Sequence, residues 1–390
     1  MSHMKRTALV LMSVIALALT SATAASAISA ANLQVVGTVT VGNSPSSIAV
    51  SPDGRFAYVA NSQGSSISVF DTHSLAVVNT ISLGGLPVSI VITPDGTTAY
   101  AALCSSDEVV TISLATNSVT RSIPTGDCPQ RLVMNSLGTR VFVAVGGGAA
   151  VSAINVSTNS IIGSVQLPFG SFPFDLALNP DESKIYVANY GNSTVSILNS
   201  LAPSNLAVSS SFSTGPAPTS LALSRDGLSL YIANFGGNSV SVVNTGSTPT
   251  PTTVNTITGF NNPYRLALSS DGSDLYVANE NSSELSVVST STGITSRSIT
   301  TASGPSWVAV NPINQFVYVS NIYAGTVSVI GEPSPTPTST ATPALPTSEP
   351  AASLASTGSD VVPQAMLALV LLLTGMGTAA WAQLSRRRRN

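Results

Sequence analysis

Residues 173–189 read PFDLALNPDESKIYVAN and contain the pattern from which the fold can be predicted. A proline opens an apolar stretch, a polar turn follows, and an aromatic residue stands thirteen positions after the proline. The same interval recurs seven times, in the pairs Pro45 and Tyr58, Pro87 and Tyr100, Pro129 and Phe142, Pro173 and Tyr186, Pro218 and Tyr231, Pro263 and Tyr276, and Pro305 and Tyr318. A constant interval of this kind indicates one structural unit copied seven times.

Each copy has the residue pattern of a small antiparallel sheet. Alternating apolar and polar residues indicate strands with one buried face, and the Pro-Asp-Gly turns at Pro52–Gly54 and Pro94–Gly96 suit tight connections. The prolines follow one another at intervals of 42 to 45 residues, which is enough for four strands. The sequence therefore predicts an all-β fold, a seven-bladed β-propeller of four-stranded antiparallel blades at residues 33–330. Its repeats start near residues 45, 87, 129, 173, 218, 263 and 305.

The last copy lacks a fourth strand, because the chain turns into Pro/Thr sequence after residues 326–330. The missing strand pattern precedes the first repeat, at residues 33–42. Closing a propeller removes exposed strand edges. We therefore expect residues 33–42 to pair with residues 326–330 and to close the ring.

Several copies share the motif Tyr-Val-Ala-Asn, which is intact at Tyr58–Asn61, Tyr186–Asn189 and Tyr276–Asn279. With the Ser-Pro-Asp-Gly turn, this motif resembles the YVTN-repeat (YncE-type) β-propeller family, which includes cell-surface and surface-layer proteins. The resemblance implies that the Asn ends the second strand and bonds the backbone of the following loop. The second and third copies have Leu103 and Val145 instead, so blades two and three are expected to differ at the surface.

The N-terminal residues have the three-part order of a secretory signal peptide. Lys5 and Arg6 precede an apolar segment at residues 8–19, and Ala25-Ser26-Ala27 follows it. This order predicts a signal peptide at residues 1–27 with cleavage after Ala27. The alternative is a retained membrane anchor, for which the apolar segment is short.

After the propeller, residues 331–353 hold six prolines and five threonines, a composition that predicts a disordered, extended stalk. Residues 354–390 then follow in the order of a Gram-positive cell-wall sorting signal of the Leu-Ala-x-Thr-Gly form. The pentapeptide is carried by Leu354, Ala355, Thr357 and Gly358, an apolar helix is predicted at residues 365–382, and the basic tail is Arg386–Arg389.

The sorting-signal resemblance implies a covalent partner. A sortase would cut between Thr357 and Gly358 and join the chain to peptidoglycan, so that the C-terminal helix crosses the membrane only transiently. The alternative is a membrane tail-anchor with the propeller outside the cell. Either way, the sequence predicts an extracellular propeller, and the expected localisation is the cell wall.

Charge and histidine content restrict the function classes. Residues 33–330 contain eight basic and fourteen acidic residues, a net charge of −6, which argues against nucleic-acid binding. Only His3 and His73 occur in the chain, and His3 would leave with the signal peptide. No carboxylate pair, histidine cluster or phosphate-binding motif can be recognised. We therefore predict no catalytic residue, no metal and no cofactor.

The two cysteines are placed to form a disulfide. Cys104 follows the second strand of blade two, and Cys128 precedes the first strand of blade three, so that both fall on one face of the ring. An exported chain with two cysteines on one face favours a disulfide, with two free thiols as the alternative.

The entrance to the central channel is the strongest candidate for a ligand site. The second residue after each repeat proline is expected there, which brings together Arg131, Asp175, Arg265 and Trp307, with Tyr264 beside them. Arginine could hold a carboxylate in fork geometry and the tryptophan could stack on a small anionic or sugar-like ligand. The structural alternative is that Arg131 and Asp175 pair across adjacent blades while Trp307 plugs the channel.

Three functions fit these observations. The leading prediction is a non-catalytic, wall-attached propeller that displays a binding or adhesive surface to an unknown extracellular protein or glycan. One alternative is an extracellular propeller hydrolase or lyase that uses the entrance to the central channel, the axial mouth, as its active site. The other is a structural component of the cell-surface coat.

Overall fold

A computed structural model describes residues 32–200, 202–247 and 250–333. Their strands form seven four-stranded antiparallel sheets, one for each sequence repeat. The prediction of an all-β, seven-bladed propeller is therefore confirmed.

The strands are numbered in chain order, and β1 is Gln34–Thr40. Blade one contains β2 to β5, at Pro45–Val50, Phe56–Asn61, Ser66–Asp71 and Val77–Ser82. Blade two contains β6 to β9, at Pro87–Ile92, Thr98–Leu103, Glu108–Ser113 and Ser118–Pro124. Blade three contains β10 to β13, at Pro129–Met134, Arg140–Val145, Ala150–Asn155 and Ser160–Gln166. Blade four contains β14 to β17, at Pro173–Leu178, Lys184–Asn189, Thr194–Asn199 and Ala207–Ser213.

Blade five contains β18 to β21, at Pro218–Leu223, Ser229–Asn234, Ser239–Asn244 and Thr252–Thr258. Blade six contains β22 to β25, at Pro263–Leu268, Asp274–Asn279, Glu284–Ser289 and Thr295–Thr300. Blade seven contains β26 to β28, at Pro305–Val310, Val317–Asn321 and Thr326–Gly331. Three short 3₁₀ turns occur among the described residues, at Cys104–Ser106, Pro203–Asn205 and Phe235–Gly237.

The ring closes through its first strand. β1 pairs antiparallel with β28, from Gln34 opposite Gly331 to Thr40 opposite Thr326, and supplies the fourth strand of blade seven. The expected closure is confirmed. This pairing leaves the final sheet with the same four strands as the other blades, so no repeat ends in an unpaired edge at the closure.

The core lies between blades rather than within one central layer. The described residues form seven buried clusters, and each joins two neighbouring blades. The repeat aromatics contribute to them; Tyr58, for example, packs in the cluster between blades one and two, and Phe142 in the cluster between blades three and four. Burial of these large side chains at every junction is the main stabilising contribution to the ring.

The first strand of each blade contacts the first strands of both neighbouring blades, so that seven inner strands surround the axis. Every inner strand carries a β-bulge directly after its proline, where the pairing register shifts by one residue. Bulges re-aim the side chains next to them. The repeated bulge therefore sets the direction of the side chains at the entrance to the channel.

Candidate functional site

The second residue after each repeat proline contributes to one ring of side chains around the axis, which we call the axial ring. Its members are Ser47, Ser89, Arg131, Asp175, Ser220, Arg265 and Trp307. All are buried except Arg131, whose side chain keeps 20 % of its surface exposed. The structure thus places the sequence-predicted residues of the mouth in one layer.

Four members of the axial ring accept a hydrogen bond from the next blade. The hydroxyls of Ser47, Ser89 and Ser220 accept from the backbone N–H groups of Ile90, Leu132 and Leu266, at 3.3, 3.1 and 3.1 Å. Asp175 Oδ2 accepts in the same way from Leu221 N at 2.8 Å. The repeated geometry links adjacent blades, because each contact satisfies a backbone donor that the blade's own sheet leaves free.

The other three members, Arg131, Arg265 and Trp307, carry donors and cannot accept such a bond. They gather around Asp175 instead. Arg131 Nε lies 2.9 Å from Asp175 Oδ1, and Arg265 Nη1 lies 3.1 Å from Asp175 Oδ2. The Arg131 N–H is poorly aligned with the carboxylate, so this contact is an ion pair without a well-directed hydrogen bond.

Trp307 lies against both cations. The guanidinium carbon of Arg265 is 3.7 Å from the centre of the indole, and that of Arg131 is 4.3 Å from it. The indole Nε1–H donates to the backbone oxygen of Ile48 at 3.1 Å, which ties blade seven to blade one. The ring is only 8 % exposed, so its contacts are made with the two arginines and the neighbouring blade. We call Arg131, Asp175, Arg265 and Trp307 the axial cluster.

The axial cluster carries an excess positive charge. Burial lowers the pKa of Arg265, and burial together with the like charge on Arg265 lowers the pKa of Arg131. Arginine nevertheless stays protonated in proteins, because its guanidinium delocalises the charge. Two cations therefore face one carboxylate, and Arg265 Nη2 is buried without any hydrogen-bond partner.

A cavity of about 460 Å³ adjoins the axial cluster. Arg131, Arg265 and Trp307 line one end of it. The rest of its wall comes from inner-strand residues of blades one, two, three, six and seven, including Ile48, Val50, Ile90, Ile92, Leu132, Met134, Leu266 and Val308. This channel cavity runs along the inner strands away from the repeat prolines.

On the proline side of the axial cluster, several aromatic rings lie in contact. Tyr264 and Phe174 stand next to Arg265 and Asp175 in sequence, and their ring centres are 5.8 Å apart. Tyr190 lies 5.7 Å from Phe174, and Phe235 lies 5.9 Å from Tyr264. Burial raises the pKa of Tyr264 to about 12, so this phenol stays protonated. We call these four residues the aromatic mouth.

The sequence analysis singled out Tyr264, which lies beside Arg265 in the chain, but it missed Tyr190 and Phe235. Both follow the Asn that ends a second strand, at Asn189 and Asn234. The position directly after that Asn is therefore the signal that could have placed them on the same face.

Cys104 and Cys128 form a disulfide with their sulfur atoms 1.97 Å apart. Cys104 begins the 3₁₀ turn after β7, and Cys128 comes directly before β10. The bond therefore joins blades two and three. The side-chain amide of Gln130, the residue before Arg131 in the chain, contacts the sulfur of Cys128.

No group of three metal-ligating side chains occurs in the described part of the chain. His73 is exposed in the turn after β4. The predicted signal peptide at residues 1–27, the stalk from residue 334 onward and the sorting residues Leu354, Ala355, Thr357 and Gly358 all lie outside the described residues. Across residues 32–200, 202–247 and 250–333, no helix is long and apolar enough to cross a membrane.

Comparisons with known proteins agree with this architecture. Hydrazine synthase from Kuenenia stuttgartiensis has a similar structure, with a TM-score of 0.67 and 18 % sequence identity over 75 % of this chain and 97 % of that one. At this identity, the likeness shows the fold alone. None of the curated proteins matches the chain. A family model described as "Lactonase, 7-bladed beta-propeller" matches residues 12–121 and 206–296, about half of the chain. With seven blades present and this family model matched, the chain belongs to the lactonase, seven-bladed β-propeller family.

Proposed function

We propose that this protein is an exported, wall-attached propeller that binds a ligand without transforming it. The proposal that the protein is not catalytic rests on the contacts of the Asp175 carboxylate. It is the one carboxylate of the axial ring, and each of its oxygens faces an arginine. A binding role needs a rigid, preformed site, whereas acid–base catalysis needs a group that is free to exchange a proton.

Each contact of Asp175 opposes a role as general base. Oδ1 faces Arg131, and Oδ2 faces Arg265 while also accepting the backbone N–H of Leu221. The side chain is about 2 % exposed, so a substrate could reach it only by displacing an arginine. Breaking one partner away from a buried ion pair is strongly unfavourable. This arrangement supports a structural carboxylate that orients two cations.

Export and wall attachment rest on the order of segments in the sequence. A signal peptide at residues 1–27, a Pro/Thr-rich stalk and a Leu-Ala-x-Thr-Gly sorting signal place the propeller outside the cell and join Thr357 to peptidoglycan. The recurring Tyr-Val-Ala-Asn motif supports the YVTN-repeat (YncE-type) group within the propellers, which fits a surface protein. The unknown partner would then be an extracellular protein or glycan.

Wall attachment can be tested by fractionating cells. We expect digestion of purified walls with a muralytic enzyme to release the protein, and Thr357→Ala to abolish that release. Thr347→Ala is the matched control, because it changes a threonine of the stalk outside the sorting signal. Complete extraction of the wild-type protein by detergent would identify a membrane tail-anchor instead.

The family match favours a second candidate, an extracellular hydrolase of lactones. In that case the axial mouth would be the active site, and Asp175 would have to leave one of its arginines during the reaction. The test is to add a panel of lactones to the purified protein and to measure acid release at constant pH. Turnover that disappears in Asp175→Asn and persists in Asp71→Asn, a change at the end of the third strand of blade one, would establish this candidate and reject the non-catalytic proposal.

A further inference from the structure

We infer that the channel cavity binds a small organic monocarboxylate, whose carboxylate pairs with Arg265 and Arg131. This inference rests on the proposed binding role and names the class of ligand for it. It follows from three independent features of the axial cluster: its charge, an unused donor and the cavity beside it.

The first feature is charge. Arg131 and Arg265 contribute two positive charges and Asp175 one negative charge, which leaves one positive charge in excess. Among the described residues, Asp175 is the carboxylate that forms ion pairs with both arginines. Arg131 reaches water with a fifth of its side-chain surface, but Arg265 is buried, and a buried charge that shares its counter-charge with a second cation is unfavourable. A ligand that carries a single negative charge would balance the cluster.

The second feature is a donor without an acceptor. Arg265 is 4 % exposed, Nη1 faces Asp175 and the carbonyl of Thr219, and Nη2 has no partner. Buried polar groups in proteins are nearly always hydrogen-bonded, and an unused donor on a cation is costly. Arg265 lines the channel cavity, and because Nη2 itself is buried, an acceptor atom in the cavity would reach it after a small rotation of the guanidinium.

The third feature is the cavity. Its volume of about 460 Å³ falls in the range of sites for small ligands. The arginines lie at one end, and the partly exposed Val50, Val133 and Met134 are among the wall residues beyond them, together with backbone atoms of the inner strands. A carboxylate with a short apolar body fits this distribution, since its charged end meets the guanidinium fork and its body meets the walls.

The same geometry indicates the route of entry. Phe174 and Tyr264 lie in contact on the proline side of the cluster, whereas the cavity extends toward the turns between first and second strands. Val50 and Met134, at the ends of their inner strands, are partly exposed. The ligand would therefore enter from the face opposite the aromatic mouth.

Calorimetric titration of the full-length protein with acetate, butyrate, benzoate and inorganic phosphate tests the inference. We expect butyrate or benzoate to bind more tightly than acetate, and phosphate to bind more weakly than all three. Arg265→Gln should weaken carboxylate binding about tenfold or more, because it removes the unused donor and the excess charge. Arg121→Gln is the matched control, since Arg121 is exposed on the outer strand β9.

Two further variants keep the test decisive if Arg265→Gln does not fold. Arg265→Lys retains the charge but loses the planar fork, and should also weaken carboxylate binding. Ala267→Leu narrows the cavity without changing a charge, and should weaken benzoate more than acetate. Absence of carboxylate binding in the wild-type protein, tighter binding of phosphate, or unchanged binding in Arg265→Lys would overturn the inference.

These outcomes are separable from those of the proposed function. Lactone turnover or detergent extraction would reject the non-catalytic or wall-attached proposal, whatever the titrations show. A wall-attached, inactive protein that binds no carboxylate would reject only the present inference.

Discussion

The blades differ in the residue that ends their second strand, which is polar in five of them and apolar in two. In blades one, four, five, six and seven, the second strand ends in a buried Asn, whereas blades two and three have Leu103 and Val145 at that position. In blade one the side-chain amide of Asn61 donates to the hydroxyls of Ser66 and Ser68, at 3.1 and 2.9 Å. The Asn thus joins the second strand to the third.

The partners of the Asn recur with it. Asn189 and Asn234 donate to hydroxyls five and seven residues further along the chain, and Asn279 donates to the hydroxyl seven residues along. Asn321 makes the corresponding contacts with Thr326 and Ser328. The family resemblance implied a bond from the Asn to the backbone of the following loop. The recurring partners are instead third-strand hydroxyls, and among these five Asn residues Asn279 also donates to backbone oxygens, those of Val277 and Glu284.

Blade two lacks the whole set. Leu103 stands opposite Glu108 in the sheet. Val110, seven residues after Leu103, takes the place that Ser68 has in blade one. Both Leu103 and Val110 are buried and pack in apolar clusters. A buried amide without acceptors around it is unfavourable, so Leu103 without hydroxyl partners avoids that cost in blade two. Blade three is intermediate, because it has Val145 in place of the Asn but keeps the buried Ser152, whose hydroxyl bonds Ser164 instead.

The two apolar blades are also the two that the disulfide joins. Cys104 directly follows Leu103, and its partner Cys128 belongs to blade three. The covalent link therefore lies where the polar set is missing. It restrains the unfolded chain across 24 residues, in addition to the apolar packing.

The largest change in the free energy of unfolding is expected when an amide replaces the leucine that ends the second strand of blade two. Leu103→Asn should destabilise the protein by about 3 to 5 kcal/mol, because it removes a fully buried leucine and leaves an amide without partners. The free energy of unfolding from urea titration measures this change.

The double variant Leu103→Asn with Val110→Ser provides the matched control. If the polar set works as a unit, the double variant should recover about 1 kcal/mol relative to the sum of the two single changes. Strict additivity would show that the Asn and the serine act independently.

Removing the disulfide should have the next largest effect. Cys104→Ser with Cys128→Ser is expected to lower the free energy of unfolding by about 3 kcal/mol, the value for a closed loop of this size. Urea titrations of the wild-type protein with and without a reducing agent give an independent measurement. A wild-type protein that is equally stable in both conditions would contradict a stabilising disulfide.

A smaller effect is expected from removing an Asn in a polar blade. Asn189→Ala should cost about 1 to 3 kcal/mol, because it leaves the buried hydroxyl of Ser196 without its amide donor. Val145→Ala in blade three is the control, since it shortens an apolar side chain at the equivalent position without breaking a hydrogen bond. Similar urea midpoints for wild type and Asn189→Ala would argue that the network adds no stability.

The smallest expected effect is the pH dependence of stability that arises from the aspartates in the turns between first and second strands. Hydrogen bonds from Ser51, Thr93 and Ser224 lower the pKa of Asp53, Asp95 and Asp226, respectively, below the usual value of 3.8. A carboxylate whose pKa is lower in the folded state stabilises the fold above the usual pKa. That stabilisation is lost as the pH falls through the folded-state pKa.

The urea midpoint should therefore fall as the pH is lowered from about 5 through the usual carboxylate pKa and below it, and fall less in Asp226→Asn. Blade two keeps the turn carboxylate although it lacks the Asn, so this pH dependence should be independent of the polar set. A midpoint that falls equally in wild type and Asp226→Asn would assign the pH dependence to other groups.

Much of the fold could be predicted from the chain alone. The seven proline–aromatic intervals predicted seven blades, and the pairing of β1 with β28 followed from the missing fourth strand of the last copy. These features are readable because a repeat reports the same local environment seven times. Position two after each proline likewise placed Arg131, Asp175, Arg265 and Trp307 in one layer before their contacts were known.

The contacts inside that layer could not be read from the repeat. Each of these residues differs from the serines at the equivalent position of the other blades. The repeat therefore predicts the position of each side chain but not the residues that it contacts. The stacking of Trp307 on two guanidiniums and the unused Arg265 Nη2 depend on distances across the ring. The aromatic mouth, with Tyr190 and Phe235, depends on how separate loops meet.

The number of blades, their strand order and the closure of the ring follow from the residue pattern alone, because alternation and turn chemistry act over short stretches that are repeated along the chain. The pairing of two arginines with one carboxylate, the single excess charge beside a cavity, and the use of the Asn as a link between strands depend on the folded arrangement. These features arise between residues that are distant in sequence, where packing across the axis and between strands selects the partners.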